Sequence, residues 1–96
     1  MTAYVVAEVD VTDPEAYRRY AALTSETVSR HGGRFIVRGG TTDPLEGEAP
    51  KRIVVIEFAS LDAARSWYRS ADYTAARLIR ERAAKSRLFL VEGTPP

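Results

Sequence analysis

The stretch from Arg52 to Phe58 contains four consecutive β-branched aliphatic residues, Ile53-Val54-Val55-Ile56. A run of this kind, short and bounded by charge, reads as a central strand covered on both faces. It constrains the rest of the chain, because 96 residues must supply both covers.

Other segments supply them by period. Ala3 to Val11 alternates, with Val5, Ala7 and Val9 on one side and Tyr4, Val6, Glu8 and Asp10 on the other, which is a strand pattern. Asp13-Pro14-Glu15 then combines an N-cap, a proline suited to the first helical position and an acid at the positive helix end. Tyr17, Tyr20, Ala21, Thr24, Val28 and His31 follow at spacings of three and four, one helical stripe, which Gly32-Gly33 ends. Arg34 to Gly40 is a second strand, with Phe35 and Val37 expected on one face and Arg34, Ile36 and Arg38 on the other. Residues 41–50 hold turn formers and acids and read as a loop.

Ser60 caps a second helix bearing Leu61, Ala64, Trp67 and Tyr68. Ser70-Ala71-Asp72 interrupts it, and Ser70 is placed to cap a further piece that carries Tyr73, Ala76, Ile79, Arg80 and Ala83. Arg87 to Glu92 is the last strand, and Gly93 to Pro96 a short tail. The order β-α-β-β-α-β is the ferredoxin-like split βαβ arrangement, an α+β fold. Right-handed crossovers set a four-stranded antiparallel sheet with its helices on one face. Residues 1–96 form a single domain of this kind. The opposite face, expected to show Val6, Ile36, Ile53, Val55, Leu88 and Leu90, is too apolar to leave in water. Two such sheets packed together bury it, so a homodimer is expected.

Composition excludes several function classes. Lys plus Arg is 14 and Asp plus Glu is 13, a net charge of +1, which does not suit a strongly basic nucleic-acid binder. The Arg52–Phe58 strand is aliphatic and acidic where an RNA-recognition sheet needs aromatics. There is no cysteine and one histidine, so no thiolate site, thiol nucleophile or His-pair metal site is expected. No membrane-spanning run and no signal-peptide pattern is visible, which makes the cytoplasm the expected location. Twelve arginines against two lysines, with fourteen alanines, are the imprint of a GC-rich bacterial genome. No cofactor motif is present: Gly32-Gly33 and Gly39-Gly40 match neither a dinucleotide fingerprint nor a P-loop.

Glu8, Arg38 and Glu57 fall one per strand on the face predicted to be shared, with Glu92 near the edge. Converging there, they form either a ligand site with Glu57 as general base or a structural ion-pair network. Tyr17, Tyr20, Trp67, Tyr68 and Tyr73 are either pocket walls or the large core residues of a small protein. Adjacent helical positions diverge by about 100°, so Trp67 and Tyr68 cannot both sit at the centre of one buried stripe. Arg77 and Arg80 flank that stripe, and either can turn inward. His31, ahead of Gly32-Gly33, suits a helix C-terminus better than a catalytic post.

Several blocks, taken together, resemble the domain-of-unknown-function family 1330. They are Asp13-Pro14-Glu15-x-Tyr17-x-x-Tyr20, Gly32-Gly33-Arg34-Phe35-x-Val37-Arg38-Gly39-Gly40, Glu57-Phe58-x-Ser60 and Trp67-Tyr68-x-Ser70-x-x-Tyr73, followed by Arg80 and Val91-Glu92-Gly93. The resemblance implies a ferredoxin-like monomer pairing into a dimeric α/β barrel. It points to Arg38, Glu57, Trp67, Tyr68, Tyr73 and Arg80, with Tyr17 and Tyr20, as pocket residues. The wider superfamily mixes cofactor-free monooxygenases, haem-degrading enzymes, isomerases and ligand-responsive domains. Its haem-degrading and quinone-forming members use an asparagine, and this chain has none. Two functions follow: a cofactor-independent enzyme acting on a small organic metabolite, or a non-catalytic dimeric ligand-binding or accessory protein.

Overall fold

The computed structural model describes residues 1–96. β1 (Ala3–Val11) buries Ala3, Val5, Ala7 and Val9 and turns the intervening residues to the other face. α1 (Pro14–Arg30) begins where the Asp13 side chain accepts the Ala16 N–H, with proline in the first turn. β2 (Arg34–Arg38) and β3 (Arg52–Phe58) follow. α2 (Leu61–Arg69) is capped by Ser60, whose hydroxyl accepts the Ala63 N–H. α3 (Ala71–Ala83) is capped by Ser70, which accepts the Tyr73 N–H, so the second helical segment is two helices. β4 (Ala84–Glu92) starts directly after α3.

The sheet is antiparallel in the order β2-β3-β1-β4. The chain is only 16 Å thick along its short axis, enough for one helical layer on the sheet. The core lies between them, with Trp67, Tyr73, Phe58, Val5 and Val28 as its largest fully buried side chains. The opposite sheet face has no cover within the chain. β3 is therefore buried on one side only: Val54, Ile56 and Phe58 lie under the helices, while Ile53, Val55 and Glu57 are half-buried.

Two face assignments differ from the alternation. Phe35 pairs with Ile56 but Val37 pairs with Val55, leaving Ile36 as an extra residue in a β-bulge. The bulge shifts the parity, so Val37 joins the open face and Arg38, opposite Val54, joins the helix face. In β4, Leu88 and Leu90 pair with Ala7 and Val5 and pack against the core. Phe89 and Val91 take the open face instead, 45% and 47% exposed. The register with β1 sets this parity, since four consecutive apolar residues carry no alternation of their own.

Candidate ligand cavity

The parity shift in β2 brings Arg38 to a cavity between sheet and helices. Arg38 donates to the Ala21 carbonyl at 2.8 Å and to Ser25 Oγ at 2.7 Å, and its guanidinium lies 3.9 Å from the Phe35 ring centroid. Arg52, first residue of β3, shares the parity of Val54 and Ile56 and lies over Tyr17 at 5.3 Å. Its guanidinium rests against Gly39, where a Cβ would stand 2.0 Å from one of its nitrogens and φ is +70°. The positive φ favours glycine there, and a side chain would also push the Arg52 guanidinium aside. Arg80 reaches in from α3, is 7% exposed and donates to Ser86 Oγ.

These three arginines line one cavity with Tyr17, Tyr20, Thr24 and Trp67, and no acidic residue lines it. None of the three has a carboxylate within 4.0 Å, whereas Arg30, Arg34, Arg65, Arg77 and Arg87 each do. Nε of Arg52 and Nε of Arg80 are buried without a hydrogen-bond partner, as is Thr24 Oγ1. Buried cations are normally paired. Arg80, a buried guanidinium with a spare donor and no counter-ion, is therefore a candidate anion contact. The void is about 20 Å³, room for one water molecule, so a larger ligand must displace the long arginine stems.

The Tyr20 and Tyr73 hydroxyls, 2.8 Å apart, lie beside Arg80. Burial, reinforced by the Tyr73 neighbour, pushes the Tyr20 phenol far above its ordinary range. Burial also raises Tyr73. Both are neutral donors and acceptors at physiological pH. Trp67 donates its indole N–H to Thr27 Oγ1 at 3.0 Å, so its polar edge is already satisfied and the ring serves as a wall.

The remaining candidates lie elsewhere. Glu57 points to the open sheet face and accepts from Arg34 at 2.9 Å. Glu8, on the same face, pairs with Arg87 at 2.9 Å. Glu8, Arg38 and Glu57 therefore do not converge, because the bulge sends Arg38 through to the other side. Tyr68 accepts from Arg77 at 2.9 Å and lines a separate groove of about 390 Å³ between α2 and β4, beside Arg65 and Arg69. His31 is the C-cap of α1, with its imidazole 3.5 Å from Asp72. Arg52 was missed from the sequence, although its parity with Val54 and Ile56 marks it as helix-facing. No cluster of three or more metal-ligating side chains exists, and no helix is long and apolar enough to cross a membrane.

A family model described as domain of unknown function (DUF1330) matches residues 2–94. A search among curated proteins finds no match. Among solved structures, the chain is similar to a protein of unknown function from Rhodopseudomonas palustris, RPA0582, at TM-score 0.78 and 22% identity, over 99% of this chain and 84% of that one. It is similar to SnoaB, a cofactor-independent oxygenase from Streptomyces nogalater, at TM-score 0.69 and 18% identity, over 99% and 95% of the two chains. A dimeric ferredoxin-like protein of unknown function from Thermobifida fusca matches at TM-score 0.64 and 16% identity, over 95% and 90%. At these identities the likeness establishes the ferredoxin-like fold.

Proposed function

The chain belongs to the DUF1330 family, and from that premise we propose that it is a homodimer whose helix–sheet cavity binds a small organic acid. One observation carries the ligand class: Arg80 is buried in the cavity with a free Nε and no carboxylate partner. An organic acid supplies the missing anion, and the aromatic and aliphatic walls accept its apolar body.

The dimer rests on the open sheet face. Val6, Ile53, Val55, Phe89 and Val91 form an apolar surface there, flanked by the Arg34–Glu57 and Arg87–Glu8 pairs. A second copy laid sheet to sheet covers it, and the Thermobifida neighbour is described as dimeric.

The catalytic form of this reading is cofactor-independent chemistry, the activity in the description of the Streptomyces neighbour. Arg80 and the two neutral phenols would stabilise negative charge developing on the bound acid. Glu57, away from the cavity on the open face, is assigned to the dimer seam rather than to proton transfer. The second reading, a ligand-binding protein without turnover, is favoured by the cavity lining, which holds no carboxylate, histidine or nucleophilic thiol.

Native mass spectrometry of the whole protein with benzoate tests the proposal. A two-chain mass that takes up benzoate supports it. A monomer overturns the dimer, and a dimer that stays empty at saturating benzoate and at saturating terephthalate overturns the cavity assignment. Product formation from a panel of aromatic acids, monitored in air without added cofactor, separates the two readings.

A further inference from the structure

The arginines of the cavity stand at two poles. Across the sheet, Arg52 on β3 pairs with Val9 on β1, and Val9 pairs with Ser86 on β4, so these three residues lie in one row. Arg80 donates to Ser86 and marks the β4 end of that row. Two strand spacings separate the ends, about 10 Å. In the next row Arg38 pairs with Val54, Val54 with Ala7 and Ala7 with Leu88. Arg38 is thus a diagonal neighbour of Arg52, about 7–8 Å away. The floor between Arg80 and the Arg38–Arg52 pair is Val9, Val54, Ala7 and Leu88, entirely apolar. No acid of the chain neutralises either pole: Asp43, Glu46 and Glu48, in the loop that joins β2 to β3, form no ion pair with Arg38 or Arg52.

A monoanionic ligand on Arg80 leaves Arg52, partly buried with an unpartnered Nε, without an anion, while Arg38 beside it is exposed. We propose that the cavity selects a dianion, two carboxylates joined by a short apolar spacer, with one end on Arg80 and the other between Arg38 and Arg52. Planar guanidinium groups match planar carboxylates through paired N–H donors. The void has room for about one water, so a spacer the width of a benzene ring or a butylene chain lies on the apolar floor once the Arg38 and Arg52 stems swing aside. The inference rests on the reading that this cavity binds an organic acid, and it specifies which acid. The inner pole is prebuilt, since Arg80 is buried and held by Ser86. The outer pole closes on the second carboxylate by movement of Arg38, which is exposed, and Arg52.

The test compares terephthalate with benzoate, and adipate with hexanoate, on the full chain. Emission of Trp67, the one tryptophan and a residue of the cavity wall, reports binding, with calorimetry as a second readout. Each dianion is expected to bind about tenfold or more tightly than its monoanion, the scale of one added charge-assisted contact. Arg52→Met should bring the ratio of terephthalate to benzoate affinity down toward one. Arg80→Met should weaken both, and Arg69→Met, outside the cavity, should leave their ratio unchanged. Equal binding of the two classes, with both lost in Arg80→Met, overturns the two-pole inference but keeps the acid-binding reading. No response to any of the four acids overturns both. The wild-type comparison and Arg52→Met decide the matter even if Arg80→Met does not fold.

Discussion

Tyr20 on α1 and Tyr73 on α3 share a hydrogen bond of 2.8 Å between hydroxyls that lie 53 residues apart in the chain. Both rings are buried, and each phenol is the other's partner. The bond therefore joins two helices within the core. Changing one tyrosine to phenylalanine leaves the other hydroxyl buried without this partner, at a cost of about 1–3 kcal/mol. Changing both removes the orphan. The double variant should be destabilised by less than the sum of the single ones, as read from urea unfolding of Tyr20→Phe, Tyr73→Phe and the pair. Strict additivity would show that the two hydroxyls do not depend on each other.

Asp72 opens α3 and gives stability a defined pH dependence. Its carboxyl is held well below the ordinary carboxylate range, first by the Ser70 hydroxyl and then by Arg30, the Tyr73 N–H and His31. A carboxyl whose pKa is depressed on folding stabilises fully above its unfolded pKa, about 3.9. That stabilisation fades as the pH falls below this value toward the folded pKa. Asp72→Asn should lower Tm at pH 7, and the gap to the wild type should narrow at pH 2.5. A gap that stays constant with pH would remove Asp72 from the acid response.

Most of the fold was legible because local signals agreed with one another. Asp13, Ser60 and Ser70 all cap the helices they were expected to cap, and β1 alternates as written. Two strands misled for different reasons. The bulge at Ile36 is a property of the pairing between β2 and β3, and no glycine marks it. In β4, Leu88-Phe89-Leu90-Val91 is apolar at every position, so only the pairing with β1 decides which residues face the helices. The same bulge decides the site: strict alternation groups Arg38 with Glu8 and Glu57, and the extra residue Ile36 puts it on the opposite face. Helical spacing, which no bulge disturbs, puts the aromatics and Arg80 along the inner side of their helices, and of these Tyr17, Tyr20, Trp67 and Arg80 line the cavity.

Phe89 tests the open face. It is 45% exposed, pairs with Val6 on β1 and carries no charge that water would favour. In a sheet-to-sheet dimer, a glutamate at this position would put a carboxylate into an apolar seam, which is strongly unfavourable. Phe89→Glu should run as a folded monomer in light scattering coupled to gel filtration, where the wild type is expected to run as a dimer. A variant that remains dimeric would move the interface off this face.

Arg80 sets stability against function. Removing its charge eliminates a desolvated guanidinium that has no anion in the unliganded chain, and methionine keeps much of the stem's volume. Exchanging uncompensated buried charge for apolar packing is commonly neutral or stabilising, by about 1 kcal/mol or more. Against this, Ser86 loses the donor that Arg80 provides. Ser86 and the neighbouring Tyr20 and Tyr73 hydroxyls are neutral and supply no counter-charge, so Arg80→Met should unfold at a higher urea midpoint than the wild type when no ligand is present. With terephthalate at saturation the order should reverse, because only the wild type gains binding energy in the folded state. A variant less stable than the wild type in both conditions would mean that Ser86 and the neighbouring phenols already compensate the charge. Arg80 would then be a structural residue, and the case for an anion in the cavity would fall with it.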